Sequence, residues 1–398
     1  MSLQAIATSG SIELPLARKI QTDASAEFAH RFTIQDGLRS HEVKASDFGY
    51  SIRPGTEVYF PEPVCRTLAQ VNPDYPTIYE HNAAWVRKFI PFESRAGMLR
   101  MLAHRYPFWE SMIYPSGIAG RVVHSSCFTS LMFEVDDVAF IHGALFERIK
   151  GRLDVQPPYG KAFSNIIETF KQNMPPNVFE RYLTDWQEST AAMLSENRFR
   201  ENDDVPDIDT YLAIRRISVR LRPYFPCAEY VHGFDLSEMI SSDTELLRAK
   251  LLAVDHAMLV NDLFSFCKEY FQGDYFNVIA SLICRHGYTL QEAVVSTCAM
   301  IEEADSNLAR WSTILRNRYA HDLRVQVYLQ ILNTFCAGNL RWSLETPRYL
   351  GYEHGWSGVR LGLMQLYPEG MEMVLDTESM NLQPVTWHST RIPQRSPR

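Results

Sequence analysis

The stretch "VNDLFSFCKEY", Val260 to Tyr270, combines an apolar helical segment with three oxygen-bearing side chains at a fixed interval. Asn261, Ser265 and Glu269 recur at every fourth position, so they fall within about 80° of one another on one helix face. An amide, a hydroxyl and a carboxylate offer the hard oxygen ligands that Mg²⁺ prefers. The spacing alone is compatible with a metal site and with a set of polar side chains on a solvated helix face.

The same stretch ends a long helix that we predict over 244–271, with Asp243 as its N-cap. Thr289 and Glu292 form a predicted capping box at the start of another helix. Alternating apolar and polar runs, which are typical of strands, are scarce. We therefore predict an all-α bundle of roughly ten helices in a single domain. Apolar periodicity and helix-end signals place further helices over 126–143, 177–197, 210–221, 276–286 and 322–344.

The predicted helical domain covers residues 51–380 of the 398-residue chain. Between residues 51 and 125, prolines break the apolar pattern into short pieces, which predicts short helices joined by turns. Residues 1–50 are mixed and polar, and we expect them to be partly ordered by docking onto the domain. Residues 381–398 are expected to form a loose tail.

Composition excludes several classes of function. A hydrophobic share of 46% permits a large core, and the net charge of −8 without a basic cluster argues against nucleic acid or an anionic membrane as a partner. We find no signal-peptide pattern and no run of about 18 apolar residues that would span a bilayer. The seven cysteines are scattered without a C-x-x-C pair. This predicts free thiols and a cytosolic protein.

The triad stretch also fits, at every position, the pattern (N/D)D(L/I/V)x(S/T)xxxE of class I terpene synthases, with Asp262 and Leu263 as its second and third residues. The chain thus resembles that family. Its length and the sequence around the triad resemble those of fungal sesquiterpene cyclases of the presilphiperfolanol-synthase type. This resemblance implies a helical bundle with a central active-site cavity.

Two further segments carry the resemblance. "RWSLETPRY" resembles the family's C-terminal W-x5-RY element and supplies Trp342, Arg348 and Tyr349. "PDIDTYLAIRRIS" resembles the segment with the diphosphate-sensing arginine, which in this family lies 46 positions before the asparagine of the triad. That position is Arg215. Together with the aspartate pair described next, these elements span residues 133 to 349.

Two acidic stretches compete for the role of the family's aspartate-rich DDxxD motif. "DDVPD", Asp203 to Asp207, matches it by letter, but its surroundings are acidic and polar. Pro206 disfavours a helix interior and suits a helix entrance. We predict that this stretch is a linker, and that Asp207 or Asp209 caps the helix that carries Arg215.

"DDVAF", which begins with Asp136 and Asp137, lies at the end of an apolar predicted helix, and we prefer it as the metal-binding pair. A fraying helix end is the alternative. The third acid of the family motif is absent, since Ala139, Phe140 and Ile141 follow. The resemblance implies that Asp136 binds Mg²⁺ and that the second aspartate pairs with the arginine of the RY element.

The resemblance implies a cyclase that ionises a linear isoprenyl diphosphate, with farnesyl diphosphate expected. Three Mg²⁺ ions would assist, and the carbocation would cyclise to a sesquiterpene hydrocarbon or alcohol with release of diphosphate. We predict Asp136, Arg215, Arg348 and Tyr349 as catalytic residues, and Lys268 with the last three as the diphosphate-binding set. Aromatic faces stabilise cations. The predicted cavity wall, with ordinary core packing as its alternative, is Phe108, Phe133 and Trp342.

Several alternatives share this fold. A chain-elongating prenyltransferase would carry a second DDxxD motif in place of the triad, and a diterpene cyclase would differ only in substrate length. A non-catalytic helical relative is the third option, supported by the missing acid after Asp137. A protonation-initiated cyclase needs DxDD, and the string at Asp207 fails at Thr210. The oligomeric state does not follow from the sequence, and a homodimer is kept as an option.

Overall fold

The computed structural model of the chain describes residues 29–32, 34, 42–135, 159–350 and 362–366. Helices dominate these residues, which confirms the predicted all-α class. The helices are α1 Ala45–Phe48, α2 Tyr75–Phe89, α3 Arg95–Ala103, α4 Tyr106–Ile113, α5 Ala119–Glu134, α6 Gly160–Asn173, α7 Pro176–Glu201, α8 Ile208–Ser218, α9 Tyr224–His232, α10 Ser237–Ser242, α11 Thr244–Phe271, α12 Val278–His286, α13 Leu290–Arg318, α14 Leu323–Glu345 and α15 Pro347–Leu350. The described strands are β1 Thr56–Tyr59 and β2 Leu363–Leu366.

Helix α11 lies within the bundle and carries the triad near its C-terminal end. It packs against α8, α12, α13 and α14, and most of its side chains between Leu246 and Tyr270 are buried. A helix that is apolar on nearly all sides needs such neighbours around it. The carboxylate of Asp243 accepts hydrogen bonds from the amides of Glu245 and Leu246 at 2.8 and 3.0 Å. This N-cap confirms the predicted start of the helix.

Local end signals also fix the next two helices. Asn277 accepts a backbone amide at 2.9 Å and caps α12, which therefore begins two residues later than predicted. The helix ends at Gly287, whose φ of 70° lies in the left-handed region that glycine tolerates. Thr289 and Glu292 form the predicted capping box of α13. These features depend on neighbouring residues alone, which is why the sequence reveals them.

Helices α4 and α14 cross at backbone contact distance, and Gly338 permits the crossing. A methyl group added at Gly338 would lie 2.7 Å from the carbonyl carbon of Met112 and 2.9 Å from the amide nitrogen of Ile113. One residue further along α14, the carboxamide oxygen of Asn339 accepts the indole N–H of Trp109 at 3.1 Å. The close crossing thus brings α4 and α14 together beside the cavity described below.

A small antiparallel sheet joins the two ends of the described chain, and the sequence did not predict it. Strand β1 pairs with β2 so that Thr56 faces Leu366 and Tyr59 faces Leu363. Each strand has four residues, which is too short for a period-2 pattern to be recognised. Their pairing is also remote in sequence. Local alternation of apolar and polar residues therefore could not predict these two strands.

Several predicted segments lie outside the described residues. They include all of 1–28, the tail 381–398 and the part of the predicted helix 126–143 that follows Val135. Within the described part of the chain, no helix is both long and apolar enough to cross a membrane. All seven cysteines are described and are free thiols, as predicted.

Candidate active site

A cavity of about 620 Å³ opens between α4, α5, α7, α8, α9, α11, α14 and α15. This volume falls within the range typical of small-molecule sites. Polar and charged side chains share the lining with large aromatic rings. The polar members are Glu196, Asn197, Arg200, Arg215, Ser218, Arg220, Asn261, Ser265, Lys268, Glu269, Gln272, Asp274, Asn339 and Arg348, and the aromatic members are Trp109, Phe133, Trp186, Tyr224, Trp342 and Tyr349.

The triad Asn261, Ser265 and Glu269 lies on one face of α11 and lines this cavity. The hydroxyl oxygen of Ser265 is buried and has no hydrogen-bond partner among the described residues. An orphaned buried hydroxyl costs about 1–3 kcal/mol. A hard cation that accepted all three oxygens as ligands would remove this cost, so the donor set fits Mg²⁺.

Burial raises the pKa of Glu269 to about 7, and the charge on Arg215 partly opposes this rise. Asp274 and Asp262 raise the pKa further, whereas a hydrogen bond from Asn277 lowers it. That bond joins Asn277 Nδ2 to Glu269 Oε2 at 2.9 Å and holds the carboxylate on the triad face. A carboxyl group with such a pKa binds a cation in competition with a proton.

Arg215 of α8 bridges the first two residues of the motif. Its Nη2 donates to Asn261 Oδ1 at 3.0 Å and to Asp262 Oδ1 at 3.0 Å, and its Nε reaches Asp262 Oδ1 at 3.2 Å. A further ion pair links Nη1 to Glu196 at 3.5 Å. Burial opposes the charge on Arg215, but Asp262, Tyr211 and Glu196 outweigh it and hold its pKa well above the ordinary value. Arg215 therefore stays charged at the cavity.

Asp262 supports the site from behind. It is fully buried and is not among the described residues that line the cavity. Asp262 accepts hydrogen bonds from Arg215 and also from the hydroxyl of Tyr211, which lies one helical turn before Arg215 on α8. A carboxylate with two donors fixed on α8 sets the position of the Arg215 side chain relative to α11. The second residue of the motif is thus a positioning residue.

The C-terminal RY element reaches the same cavity through α14 and α15. The hydroxyl of Tyr349 accepts a hydrogen bond from Asn261 Nδ2 at 2.7 Å. The guanidinium of Arg348 lies 5.0 Å from the ring centre of Phe133, and Lys268 lines the cavity beside the triad. Five cationic side chains line it against three acidic ones, counting the described residues only. The balance favours an anionic ligand.

The sequence did not predict two of those cationic residues, Arg200 and Arg220. Arg220 follows the end of α8 with a φ of 61°. Burial lowers its pKa to about 10, opposed by Tyr224, and Arg348 lowers it further. Arg200 forms an ion pair with Asp274 at 2.7 Å. Neither belongs to a sequence pattern, because both reach the cavity through contacts between distant segments.

The aromatic wall differs in part from the prediction. Phe133 and Trp342 line the cavity, and their ring centres lie 6.0 Å apart. The prediction of Phe108 as a wall residue is wrong. Its ring packs 5.2 Å from that of Tyr75 in the core, and Trp109 lines the cavity instead. Successive helical side chains point about 100° apart, so an error of one residue changes the face.

Trp186 and Tyr224 complete the aromatic lining and were not predicted. Their ring centres lie 6.2 Å apart, and Tyr224 meets Trp109 edge to face at 4.8 Å. The hydroxyl of Tyr224 lies 2.8 Å from that of Thr129. No local pattern distinguishes these rings from ordinary core residues, because all of them are buried.

The structure assigns the DDVPD stretch to the scaffold. Asp203 accepts hydrogen bonds from the amide and hydroxyl of Ser46 at 2.6 and 2.7 Å. Asp204 forms an ion pair with Arg285. Asp207 caps α8, since its carboxylate accepts from the amide and hydroxyl of Thr210 at 3.0 and 2.8 Å. This confirms the predicted linker and cap.

The preferred metal pair, Asp136 and Asp137, lies outside the described residues. The role of Asp136 as a ligand and the pairing of its neighbour with Arg348 stay predictions. The last described residue before the pair is Val135, which directly follows α5. Met132 and Phe133, in the last turn of that helix, line the cavity.

Residues 131–304 match the family profile described as "Terpene synthase family 2, C-terminal metal binding". The chain is 25% identical over 321 residues to microbial terpene synthase-like protein 13 of Selaginella moellendorffii, covering 76% of this chain and 89% of that protein. It is 29% identical over 197 residues to silphinene synthase of Penicillium patulum, covering 48% of this chain and 52% of that one.

Solved structures show the same fold. The linalool/nerolidol synthase of Streptomyces clavuligerus superposes with a TM-score of 0.62 at 22% identity, over 71% of this chain and 99% of that enzyme. The SVS_A2 protein from ancestral sequence reconstruction gives a TM-score of 0.64 at 20% identity, over 72% and 90%. At such identities the similarity concerns the fold.

Proposed function

We propose that this chain, whose residues 131–304 match a terpene synthase family profile, is a class I terpene synthase that ionises farnesyl diphosphate with Mg²⁺ and cyclises the carbocation. The product would be a sesquiterpene hydrocarbon or alcohol, with diphosphate released. The observation that carries the proposal is the orphaned hydroxyl of Ser265, which lies between two other oxygen donors in a cavity that also holds a cationic cluster. An oxygen-only cation site beside fixed positive charges suits a diphosphate.

Asn261, Ser265 and Glu269 would hold Mg²⁺ from α11, and Asp136 is proposed as a further ligand from the resemblance. When bound, the three expected ions would supply positive charge that stabilises the departing diphosphate. The chain prepares this site in advance, because Asn277 orients Glu269 and Tyr349 orients the carboxamide of Asn261. Such hydrogen bonds keep the ligand atoms in place before substrate arrives.

Arg215, Lys268, Arg348 and Tyr349 would grip the diphosphate. Their N–H and O–H groups can donate to its oxygens, and charge-assisted hydrogen bonds of this kind strengthen as negative charge develops on the leaving group. Arg215 is best placed for this task because Asp262 fixes it from behind. The arginine therefore needs little reorganisation at the moment of ionisation.

The aromatic rings would surround the hydrocarbon part of the substrate. Trp109, Phe133 and Trp342 offer π faces that stabilise a carbocation by about 0.5–2 kcal/mol each. They also exclude water, which would otherwise quench the cation before cyclisation. The two functions of the cavity, diphosphate capture and cation protection, thus fall on different classes of side chain.

Incubation with geranyl, farnesyl and geranylgeranyl diphosphate in the presence of Mg²⁺, read by gas chromatography, tests the proposal. We expect cyclic sesquiterpenes from farnesyl diphosphate. Longer linear diphosphates would indicate a prenyltransferase instead. Asp203→Asn serves as a control because its carboxylate bonds only to the scaffold residue Ser46 in the described structure. We expect that variant to keep the metal requirement. The free thiols support cytosolic placement, which stays a proposal.

A further inference from the structure

A second cluster of ligand-type side chains lies away from the cavity. The thiol of Cys65, the imidazole of His256 and the carboxylate of Asp305 bring one ligand atom each within 4.8 Å of one another. They come from three separate segments, namely the loop before α2, the buried helix α11 and helix α13. None of the three is among the described residues that line the cavity.

His256 has one ring nitrogen without a hydrogen-bond partner among the described residues. The residue is fully buried, which favours the neutral ring. Its Nε2 lies 3.1 Å from the carbonyl oxygen of Val64. Since a carbonyl only accepts, Nε2 carries the hydrogen and Nδ1 carries the lone pair. Nδ1 is buried and has no hydrogen-bond partner within the part of the chain that the structure describes. Histidine ligands in metal sites show this arrangement, with the second nitrogen bound to a carbonyl.

Asp305 and Cys65 supply an anionic oxygen and a sulfur. Asp305 is buried and pairs with Arg66, whose amide donates to Oδ1 at 3.2 Å and whose guanidinium contacts Oδ2. The Arg66 side chain is 49% exposed, so it can turn towards solvent when a cation takes the carboxylate. The Arg66–Asp305 pair could satisfy the carboxylate without any ion. It leaves the lone pair of His256 unexplained, however.

We propose that Cys65, His256 and Asp305 bind one zinc ion. A thiolate, an imidazole and a carboxylate are zinc ligands, and the fourth tetrahedral position would take a water molecule. Zinc bonds of about 2.0–2.3 Å place tetrahedral ligand atoms roughly 3.5 Å apart, so closure of the cluster needs a shift of about 1 Å. On binding, the Cys65 thiol loses its proton to solvent and a sulfur–zinc bond forms.

Such an ion would fasten the loop before α2 to α11 and α13, on residues that do not line the cavity. Its effect would be on stability, because the ligands pack elements together and touch no substrate. The proposed zinc site is also chemically distinct from the triad, since the triad offers oxygen ligands alone while the zinc site includes a thiolate. The two metal sites can therefore be told apart by spectroscopy.

Cobalt(II) titration of the metal-stripped full chain tests the proposal. We expect thiolate-to-cobalt charge-transfer absorption and visible bands of a tetrahedral ion, saturating at one cobalt per chain and abolished by added zinc. Ser265→Ala should leave these bands unchanged, which separates them from the triad. Cys284→Ser removes a buried thiol on α12, outside the cluster, and should also leave them unchanged.

Cys65→Ser should abolish the charge-transfer band, and zinc should raise the melting temperature of the wild type but not of this variant. Asp305→Asn, which keeps the thiol, should weaken cobalt binding at least tenfold. Absence of the band in the folded wild type would overturn the proposal whatever the variants do. Persistence of the band in folded Cys65→Ser would overturn it as well. Neither result bears on the cyclase activity, because the proposed function rests on the triad.

Discussion

Arg215 Nη2 lies 3.0 Å from the Oδ1 atom of Asn261, so the proposed diphosphate-binding arginine and the first proposed metal ligand share one hydrogen bond. The same nitrogen also contacts Asp262 at 3.0 Å. The oxygen proposed to ligate Mg²⁺ therefore also accepts a hydrogen bond from the guanidinium. Arrival of the metal and the diphosphate would exchange these partners, which couples binding of the two.

Arg215→Lys tests this bridge. A lysine keeps the charge, but a single ammonium cannot reproduce the planar fork that spans Asn261 and Asp262. We expect kcat to fall roughly 10²–10³-fold. The matched control is Arg216→Lys, which breaks a similar fork to Asp255 outside the cavity. Steady-state kinetics should show the loss only in the first variant, and an equal loss in both would contradict the assignment.

Ser265→Ala separates metal binding from stability. It removes a buried hydroxyl without a partner among the described residues, so in the absence of Mg²⁺ the melting temperature should stay constant or rise. Activity should fall sharply and require more Mg²⁺. Ser281→Ala is the control, because its hydroxyl is likewise buried without a described partner but lies on α12, away from the cavity. Loss of activity in both variants would argue against a metal role for Ser265.

Glu110 makes the stability of the fold depend on pH. Burial raises the pKa of this carboxyl from 4.5 to about 8, and a hydrogen bond from Thr129 opposes the rise. The unfolded chain ionises Glu110 above about pH 4.5, whereas the folded chain keeps it neutral until about pH 8. This group therefore makes folding less favourable as pH rises through that window. Below about pH 4.5, Glu110 is neutral in both states and its contribution to the pH dependence of stability vanishes.

Glu110→Gln should remove that dependence. The variant should gain melting temperature relative to the wild type as pH increases from about 5 to about 8, because glutamine stays neutral throughout. Thermal melts at several pH values measure the difference. A gain that is independent of pH would show that Glu110 stays ionised in the folded protein. That result would contradict the buried neutral carboxyl.

Gly338→Ala should disrupt the crossing of α4 and α14. The added methyl group would meet main-chain atoms of Met112 at 2.7 Å, and backbone cannot move aside like a flexible side chain. We expect a marked loss of melting temperature and of activity. Gly120→Ala in α5 is the control, since a methyl group there meets nothing within 4 Å, and alanine should be neutral or slightly stabilising. Comparable losses in both would contradict the close approach.

Local signals in the sequence predicted most of the helices and several of their ends. Asp207 and Asp243 cap their helices as predicted, because capping depends on residues two or three positions away. The same signals identified DDVPD as scaffold despite its matching letters. The pairing of Thr56 with Leu366 could not be anticipated, since neither short strand has a pattern of its own.

The candidate site was predictable where residues share one helix and less so elsewhere. The spacing of Asn261, Ser265 and Glu269 places them on one helix face, and the resemblance to class I terpene synthases implies their metal role and the choice of Arg215. Asn277 reaches the site only through the fold, so its role could not be read from a pattern. The helical phase explains the difference between the predicted wall residue Phe108 and the observed one, Trp109, because adjacent side chains on a helix point about 100° apart.

The central claim is tested most directly by measuring the diphosphate released from farnesyl diphosphate together with the hydrocarbon formed, with and without Mg²⁺. We predict that wild-type protein releases one diphosphate for each cyclic sesquiterpene or sesquiterpene alcohol, only when Mg²⁺ is present. Glu269→Gln should abolish both signals together. Equal release without the metal, or release accompanied only by linear farnesol, would contradict the account.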